Sequence, residues 1–310
     1  MTSVLRIGTR GSPLALAQAE ETRRRLAEAH PVLAAPGAIE IVAIKTTGDR
    51  VQDRTLAEIG GKGLFTKEIE DGLLDRGIDI AVHSMKDMPT WLPDGLVMGA
   101  LLPREDPRDA LFARDGAASI AGLKPGAVVG TASLRRQAQL LALRPDLSVV
   151  PFRGNIDTRL AKLAAGTVDA TLLALAGLKR LGRASEASAI LEPQEMLPAA
   201  AQGAIGIECR AGDSRILDLL AAIHCRDTGD RVAAERSLLA TLDGNCRTPI
   251  AALAELGPGG VLTLTARVAL PDGSEMHEER RQGLRGDAER LGVEAGEALR
   301  RRMGPQFLAG

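Results

Sequence analysis

Short apolar runs alternate with longer stretches of helical period over most of this chain. Val4–Thr9 reads as a strand, and Ser12 followed by Pro13 marks a helix start: a hydroxyl cap, then a residue whose missing N–H costs nothing in a first turn. Ile39–Thr46 reads as the next strand. The glycine-rich Gly60-Gly61-Lys62-Gly63 precedes a helix over Phe65–Leu74, and Ile78–Val82 is a third strand. Strands separated by helical stretches predict βαβ units and a mostly parallel sheet. The pattern breaks at Leu102–Asp109, a polar, proline-marked crossing. It resumes with strands at Ala127–Gly130, Leu147–Phe152 and Ala170–Leu175, and with helices at Leu134–Arg144 and Thr158–Ala165. Pro193–Pro198 reads as a second crossing, and Ala204–Cys209 as a strand returning to the first sheet. Two crossings between two α/β lobes predict a cleft, a common position for a ligand. The remainder differs: a helix over Asp230–Leu242, strands at Ile250–Leu256, Val261–Leu270 and Met276–Gln282, and a closing helix over Asp287–Arg302. That order predicts a small α+β domain, its middle strand bounded by the Pro258-Gly259-Gly260 and Pro271-Asp272-Gly273 turns.

Three of the strand-to-helix junctions carry arginine. They are Gly8-Thr9-Arg10-Gly11-Ser12-Pro13, Gly130-Thr131-Ala132-Ser133-Leu134-Arg135-Arg136 and Arg153-Gly154-Asn155-Ile156-Asp157-Thr158-Arg159. The first turn of a helix already carries partial positive charge and unpaired N–H groups, so added cations are unfavourable there unless an anion joins them. A single such arginine is ordinarily a surface residue. Three junctions together point to a site that collects negative charge, on the edge of an α/β sheet where ligands bind. Guanidinium forks suit carboxylate or phosphate.

Composition makes this positive charge local. There are 39 Lys and Arg against 40 Asp and Glu, for a formal net charge of −1, with four Phe, one Trp and no Tyr. A nucleic-acid binder would be more basic and richer in stacking aromatics. The longest uncharged run, Met196–Ile207, falls short of the ~18–20 residues that span a bilayer. The N-terminus passes straight into Val4-Leu5-Arg6-Ile7, which predicts no secretory signal. The three cysteines, Cys209, Cys225 and Cys246, form no CxxC pair. Neither a zinc ribbon nor a disulfide framework is expected, and no metal; a cytoplasmic protein is.

Lys62 lies in a loop that resembles a phosphate loop and fails its test. Gly63 follows the lysine where Ser or Thr would hold magnesium, and Leu56 stands in the place of the first glycine. His83-Ser84-Met85-Lys86-Asp87 follows directly on a strand. Triad members seldom converge from one short run, and there is no G-x-S-x-G elbow, so hydrolase chemistry is not expected. Asp87 is a lone carboxylate that can move protons or stabilise a cationic intermediate; on local evidence a turn cap serves equally well. Cys246, in Asp243-Gly244-Asn245-Cys246-Arg247-Thr248-Pro249, is expected to be accessible, with Arg247 favouring its thiolate; an ordinary loop cysteine is the other reading. Cys209, in an apolar strand, reads as core filling.

Taken in order, these motifs resemble the porphobilinogen deaminase (hydroxymethylbilane synthase) family over essentially the whole chain. The resemblance rests on Arg10–Ala15, Gly61–Glu68, His83–Pro89, Arg104–Asp109, Gly130–Gln137, Arg153–Arg159, Ala201–Gly203, Glu235–Ser237 and Gly244–Pro249. It implies an α/β fold of two periplasmic-binding-protein-like (type II) domains joined by two crossovers, plus a small C-terminal α+β domain. The expected boundaries are 1–102 with 203–221, then 107–198, then 225–310. It implies a transferase of tetrapyrrole (haem, chlorophyll) biosynthesis, a cytoplasmic monomer that joins four porphobilinogen molecules head to tail into linear hydroxymethylbilane and releases ammonia each time. The cofactor implied is a dipyrromethane held by a thioether to Cys246. Asp87 matches the catalytic aspartate, expected to assist ammonia loss and to stabilise the azafulvene-like cation through the pyrrole N–H groups. Arg10, Ser12, Lys62, Lys86, Thr131, Ser133, Arg135, Arg136, Arg153, Arg159, Arg180 and Gln202 match positions that bind cofactor or growing chain. Each porphobilinogen brings an acetate and a propionate, which explains why several arginine junctions are present. Two residues depart from the pattern: Glu58 replaces a basic residue before the glycine loop, and Asn245 replaces a smaller residue before Cys246. A non-catalytic anion-binding module of the solute-binding or regulator type is the competing reading. The missing secretion signal, the lack of a helix-turn-helix segment ahead of the domains, and a third domain presenting Cys246 argue against it.

Overall fold

The structure, a computed structural model, describes residues 4–50, 66–243, 249–304 and 307. The expectations for Lys62, Phe65, Glu58, Asn245 and Cys246 therefore lie outside the described residues. The described parts of 1–52, 61–105 and 203–229 form one compact unit, and those of 106–202 and 230–310 a second.

The first unit is built on a five-stranded sheet. Its strands are β1 (Leu5–Arg10), β2 (Ile39–Ile44), β3 (Ile80–Ser84), β4 (Leu96–Leu101) and β10 (Ile205–Arg210), in the order β2-β1-β3-β10-β4. β1 is parallel to β2 and β3, whereas β10 runs antiparallel to both β3 and β4. Strand Ala204–Cys209 of the sequence thus does return to the first sheet. β3 reaches two residues further than its apolar run predicts, because pairing with β10 places His83 opposite Gly206 and Ser84 opposite Ile205. Helices α1 (Pro13–Ala29) and α2 (Lys67–Leu74) pack on this sheet. Leu5, Ile7, Leu26, Val82, Ile205 and Ile207 form its main apolar cluster, and Ile69, Leu73 and Ile78 a smaller one.

The second unit repeats the plan. Its sheet holds β5 (Asp109–Ala113), β6 (Val128–Gly130), β7 (Ser148–Val150), β8 (Ala170–Ala174) and β9 (Ala189–Leu191), in the order β7-β6-β8-β5-β9. β6 is parallel to β7 and β8, and β5 is the antiparallel insertion. In each sheet the reversed strand comes from across a chain crossing, which is the type II arrangement that the resemblance implies. Helices α3 (Leu134–Leu143), α4 (Ile156–Ala164) and α5 (Leu175–Arg180) follow β6, β7 and β8.

Helix α6 (Ser214–Ala221) packs on β4 and β10 of the first sheet, and α7 (Arg226–Thr241) follows it. Beyond α7, β11 (Ile250–Leu256), β12 (Val261–Ala269) and β13 (Met276–Leu284) form an antiparallel meander with α8 (Ala288–Arg302) across it. β12 alternates from Val261 to Val268, and its inward Leu262, Leu264 and Val268 meet Leu238, Leu291 and Leu299 of the helices. This small α+β part lies in the second compact unit. The tip of its β12–β13 hairpin rests on α3: a Cβ at Gly273 (φ +72°) would fall 2.4 Å from the Ala142 backbone nitrogen. Glycine is required there for both conformation and space.

Candidate functional site

Each arginine junction opens a capped helix. The Ser12 hydroxyl accepts from the Ala15 N–H at 3.3 Å, with Pro13 in the first turn of α1. The Ser133 hydroxyl accepts from the Arg136 N–H at 3.4 Å, and Thr131 Oγ1 accepts from the Ser133 N–H at 3.1 Å. Asn155 caps α4 by accepting from the Thr158 N–H at 2.8 Å. Caps are local devices, satisfying N–H groups that no helix can bond internally. Thr131 and Ser133 therefore act first on backbone, and through it on where Arg135 and Arg136 point.

In the first unit, a hollow at one end of the sheet is lined by Arg10, Ser12, Gln18, Thr66, His83 and Asp87, among others. Asp87 ends a short 3-10 turn, Met85–Asp87, that follows β3, and both Lys86 and Asp87 are exposed. Three contacts hold that turn. The Met85 N–H donates to the Ala204 carbonyl at 3.0 Å. Gln18 and Ser84 are bonded side chain to side chain at 2.9 Å. Met85 seats over Gly206, where a Cβ would come 2.1 Å from the Met85 sulfur. Asp87 is thus an exposed carboxylate on a buried, well-tethered base.

The second unit holds the arginines. Asp109, the first residue of β5, is fully buried, and Arg135 and Arg136 converge on it. Arg135 Nη2 donates to Oδ2 at 2.7 Å, and Arg136 donates through Nη2 to Oδ1 at 2.8 Å and through Nε to Oδ2 at 3.2 Å. Gln202 Nε2 adds a fourth bond, to Oδ1 at 2.8 Å. Two carbonyls take further guanidinium donors, Leu197 from Arg135 and Leu172 from Arg136. Burial alone would push the Asp109 carboxyl up; the two guanidiniums outweigh it and hold it well below the usual carboxylate range. Helical geometry sets adjacent side chains about 100° apart, yet both arginines turn inward, since only a buried anion makes their burial tolerable.

One carboxylate for two guanidiniums leaves net positive charge, and more cations surround it. Burial, with Arg136 and Arg153 alongside, pushes Arg159 down to about 10. Arg159 Nε donates to the Gly154 carbonyl at 2.9 Å, so its partner is backbone, not an anion. Two buried donors, Arg135 Nε and Arg153 Nη1, have no hydrogen-bond partner. Buried polar groups are almost always paired, and charged ones especially so. Orphaned guanidinium N–H groups within a cationic cluster fit a ligand that brings carboxylates, and thereby fit a dipyrromethane with its acid side chains. Arg180 ends α5 in this same unit.

The structure brings Arg10, Ser12 and Asp87 to one hollow and Arg135, Arg136 and Gln202 to one cluster; Asp109 and Gln139, which join that cluster, were not among the residues expected from the sequence. Gln139 accepts from the Leu197 N–H at 2.9 Å and from Arg267 of β12 at 2.7 Å, tying α3 to the C-terminal sheet. The signals for Asp109 are its place at the end of the Arg104–Asp109 motif and a charge set directly before the apolar Ala110-Leu111-Phe112. Among the described residues, no group of His, Cys, Asp or Glu is arranged to hold a metal ion, and no helix is long and apolar enough to cross a membrane.

Comparison with known proteins gives two family matches. The model described as "Porphobilinogen deaminase, dipyromethane cofactor binding domain" matches residues 5–218, and "Porphobilinogen deaminase, C-terminal domain" matches residues 230–301. The chain is 59% identical over 303 residues to a porphobilinogen deaminase of Paracoccus denitrificans (strain Pd 1222), covering 98% of this chain and 96% of that protein. It is 56% identical over 308 residues to a chloroplastic porphobilinogen deaminase of Oryza sativa subsp. japonica, covering 98% and 86%. A chloroplastic relative from Pisum sativum is 53% identical over 309 residues, covering 99% and 84%.

Proposed function

We propose, from the premise that this chain belongs to the porphobilinogen deaminase family, how its residues share the family's reaction. The chain is an enzyme that condenses porphobilinogen into hydroxymethylbilane with loss of ammonia, on a dipyrromethane cofactor. The cofactor supplies a nucleophilic pyrrole carbon and a covalent tether for the product. Cys246 is its attachment point: a cysteine thiolate next to Arg247 in the sequence is a suitable nucleophile for that thioether.

Arg135, Arg136, Arg153 and Arg159 hold the carboxylates of cofactor and growing chain. The observation that carries this is the pair of unpartnered buried donors, Arg135 Nε and Arg153 Nη1, in a cluster where, among the described residues, Asp109 is the carboxylate that Arg135 and Arg136 share. Gln202 positions Asp109, and Thr131 and Ser133 set the start of α3. Arg10, Ser12, Lys62, Lys86 and Arg180 take the remaining acid groups. Asp87 stabilises positive charge as it develops on the incoming ring, a task that suits an exposed carboxylate on a well-tethered turn. The division into domains 1–102 with 203–221, 107–198 and 225–310 is supported by three sheets with separate apolar clusters. A cytoplasmic monomer completes the reading, supported by the bacterial relative and the family pattern; the plant relatives are chloroplastic.

Intact mass under denaturing conditions tests the tether. Freshly purified active protein carries the added mass of a dipyrromethane, and Cys246→Ser does not. An unmodified mass in active protein would overturn the assignment.

A further inference from the structure

Beneath the hollow that holds Asp87 lies a group of ionisable side chains that none of these roles uses. Glu208, in the middle of β10, is fully buried, and His83 of β3 and Glu70 of α2 are nearly so. His83 Nε2 meets Glu208 Oε2 at 3.0 Å. The other Glu208 oxygen, Oε1, and Glu70 Oε1 are buried without a hydrogen-bond partner. Burial pushes the Glu70 carboxyl up, and the nearby Glu208 adds to this.

Such a cluster is a poor way to stabilise a sheet. Replacing buried ionic groups by apolar residues of similar volume is commonly neutral or stabilising, by about 1–4 kcal/mol. Its place suggests a different purpose. His83 and Asp87 line the same hollow. With Nε2–H donating to the Glu208 carboxylate, the Nδ1 lone pair is left to accept a proton, the tautomer control familiar from carboxylate–histidine pairs.

The reaction calls for such a group. The substrate ammonium leaves as ammonia, taking the C–N electron pair, and the pyrrole nitrogen supplies the electrons that form the cation. The free carbon of the terminal pyrrole then makes the new C–C bond. Its C–H bond breaks, the electron pair restores the aromatic ring, and one proton must be received. Loss of this proton is a step separate from ammonia loss, and it needs an acceptor within reach of the hollow that holds Asp87. We propose that His83, oriented by Glu208, is a second proton-transfer residue of this site, accepting that proton on Nδ1 and passing it to the departing ammonia or to water. This rests on the assignment of Asp87 to the hollow, and one arm of its test does not.

Two measurements on the holoenzyme decide it. His83→Gln keeps a donor toward Glu208 and removes the proton acceptor. Its kcat should fall about 100-fold, within the range for general-base loss, with little change in KM. Porphobilinogen deuterated at its free α-carbon should then show a larger isotope effect on kcat than with the native enzyme, as proton removal becomes limiting. An unchanged kcat, or a reduced kcat with the native isotope effect, would overturn the proposal. Independently of turnover, 15N-histidine spectra of the holo-protein, which has four histidines, should show His83 protonated on Nε2 and lose that preference in Glu208→Gln. A native His83 protonated on Nδ1, or a tautomer indifferent to Glu208→Gln, would refute the proposal even if His83→Gln failed to fold.

Discussion

Asp109→Asn is the sharpest test of the arginine cluster, because one carboxylate there serves two buried guanidiniums. Asparagine has nearly the same shape, so packing is kept and only charge and acceptor capacity change. Four hydrogen bonds now end on the two carboxylate oxygens, at 2.7 to 3.2 Å, three of them from arginine. The amide leaves one acceptor and turns an NH2 group toward guanidinium donors. Arg135 and Arg136, each only 7% exposed, lose their counter-ion. Removing one partner of a buried ion pair costs about 3–5 kcal/mol. This corresponds to at least a factor of about 100 in the folded-to-unfolded ratio, and to a Tm lower by roughly 10 °C.

The pH dependence gives the sign. The folded Asp109 carboxyl titrates below its unfolded value, so the stabilisation is complete above about pH 4 and is lost as pH falls through the folded value. Urea unfolding of native protein and Asp109→Asn should give a gap that is constant between about pH 5 and pH 8 and narrows below about pH 4. A gap under about 1 kcal/mol at neutral pH, the level of an exposed pair, or one undiminished in acid, would refute the reasoning.

Other substitutions probe the remaining parts. Arg159→Met should raise the KM for porphobilinogen while leaving Tm unchanged or higher, because burial and like charges already disfavour that guanidinium; a large drop in Tm would show that it is a structural arginine. Asp87→Asn should lower turnover by about 100-fold or more with cofactor loading and circular dichroism unchanged, and near-normal rates would remove Asp87 from the mechanism. Gly206→Ala forces a methyl against Met85 and Met98, with sulfur 2.1 and 2.7 Å from the new Cβ. It should destabilise by about 1–3 kcal/mol and lower kcat by displacing the Asp87 turn; unchanged kcat would mean that the turn tolerates the shift.

Much of this architecture was legible in the chain because it depends on local rules. Ser12 caps its helix as its place before Pro13 predicts, and Ser133 caps the helix expected from Leu134; Asn155 caps a helix that begins at Ile156, two residues ahead of its expected start. β11 occupies the residues expected of it, and β12 and β13 differ only at their ends. Strand β4, Leu-Val-Met-Gly-Ala-Leu, has no alternation to mark it, and β5 hides behind the prolines of a crossing. Both become strands by pairing with distant segments, β4 with β10 and β5 with β8 and β9.

The site divides along the same line. By itself, the sequence determined that arginines gather at helix starts and, through its ordered motifs, the family to which the chain belongs. Local propensity and spacing suffice for those statements. It did not determine which way the arginines face. That Arg135 and Arg136 turn inward onto Asp109, that Gln202 arrives from 93 residues away to complete the cage, and that Glu208 comes to rest behind His83 from 125 residues away were decided only by the tertiary structure. Charges far apart in sequence meet only once sheet register has placed them together, and burial then decides which of them can remain ionised.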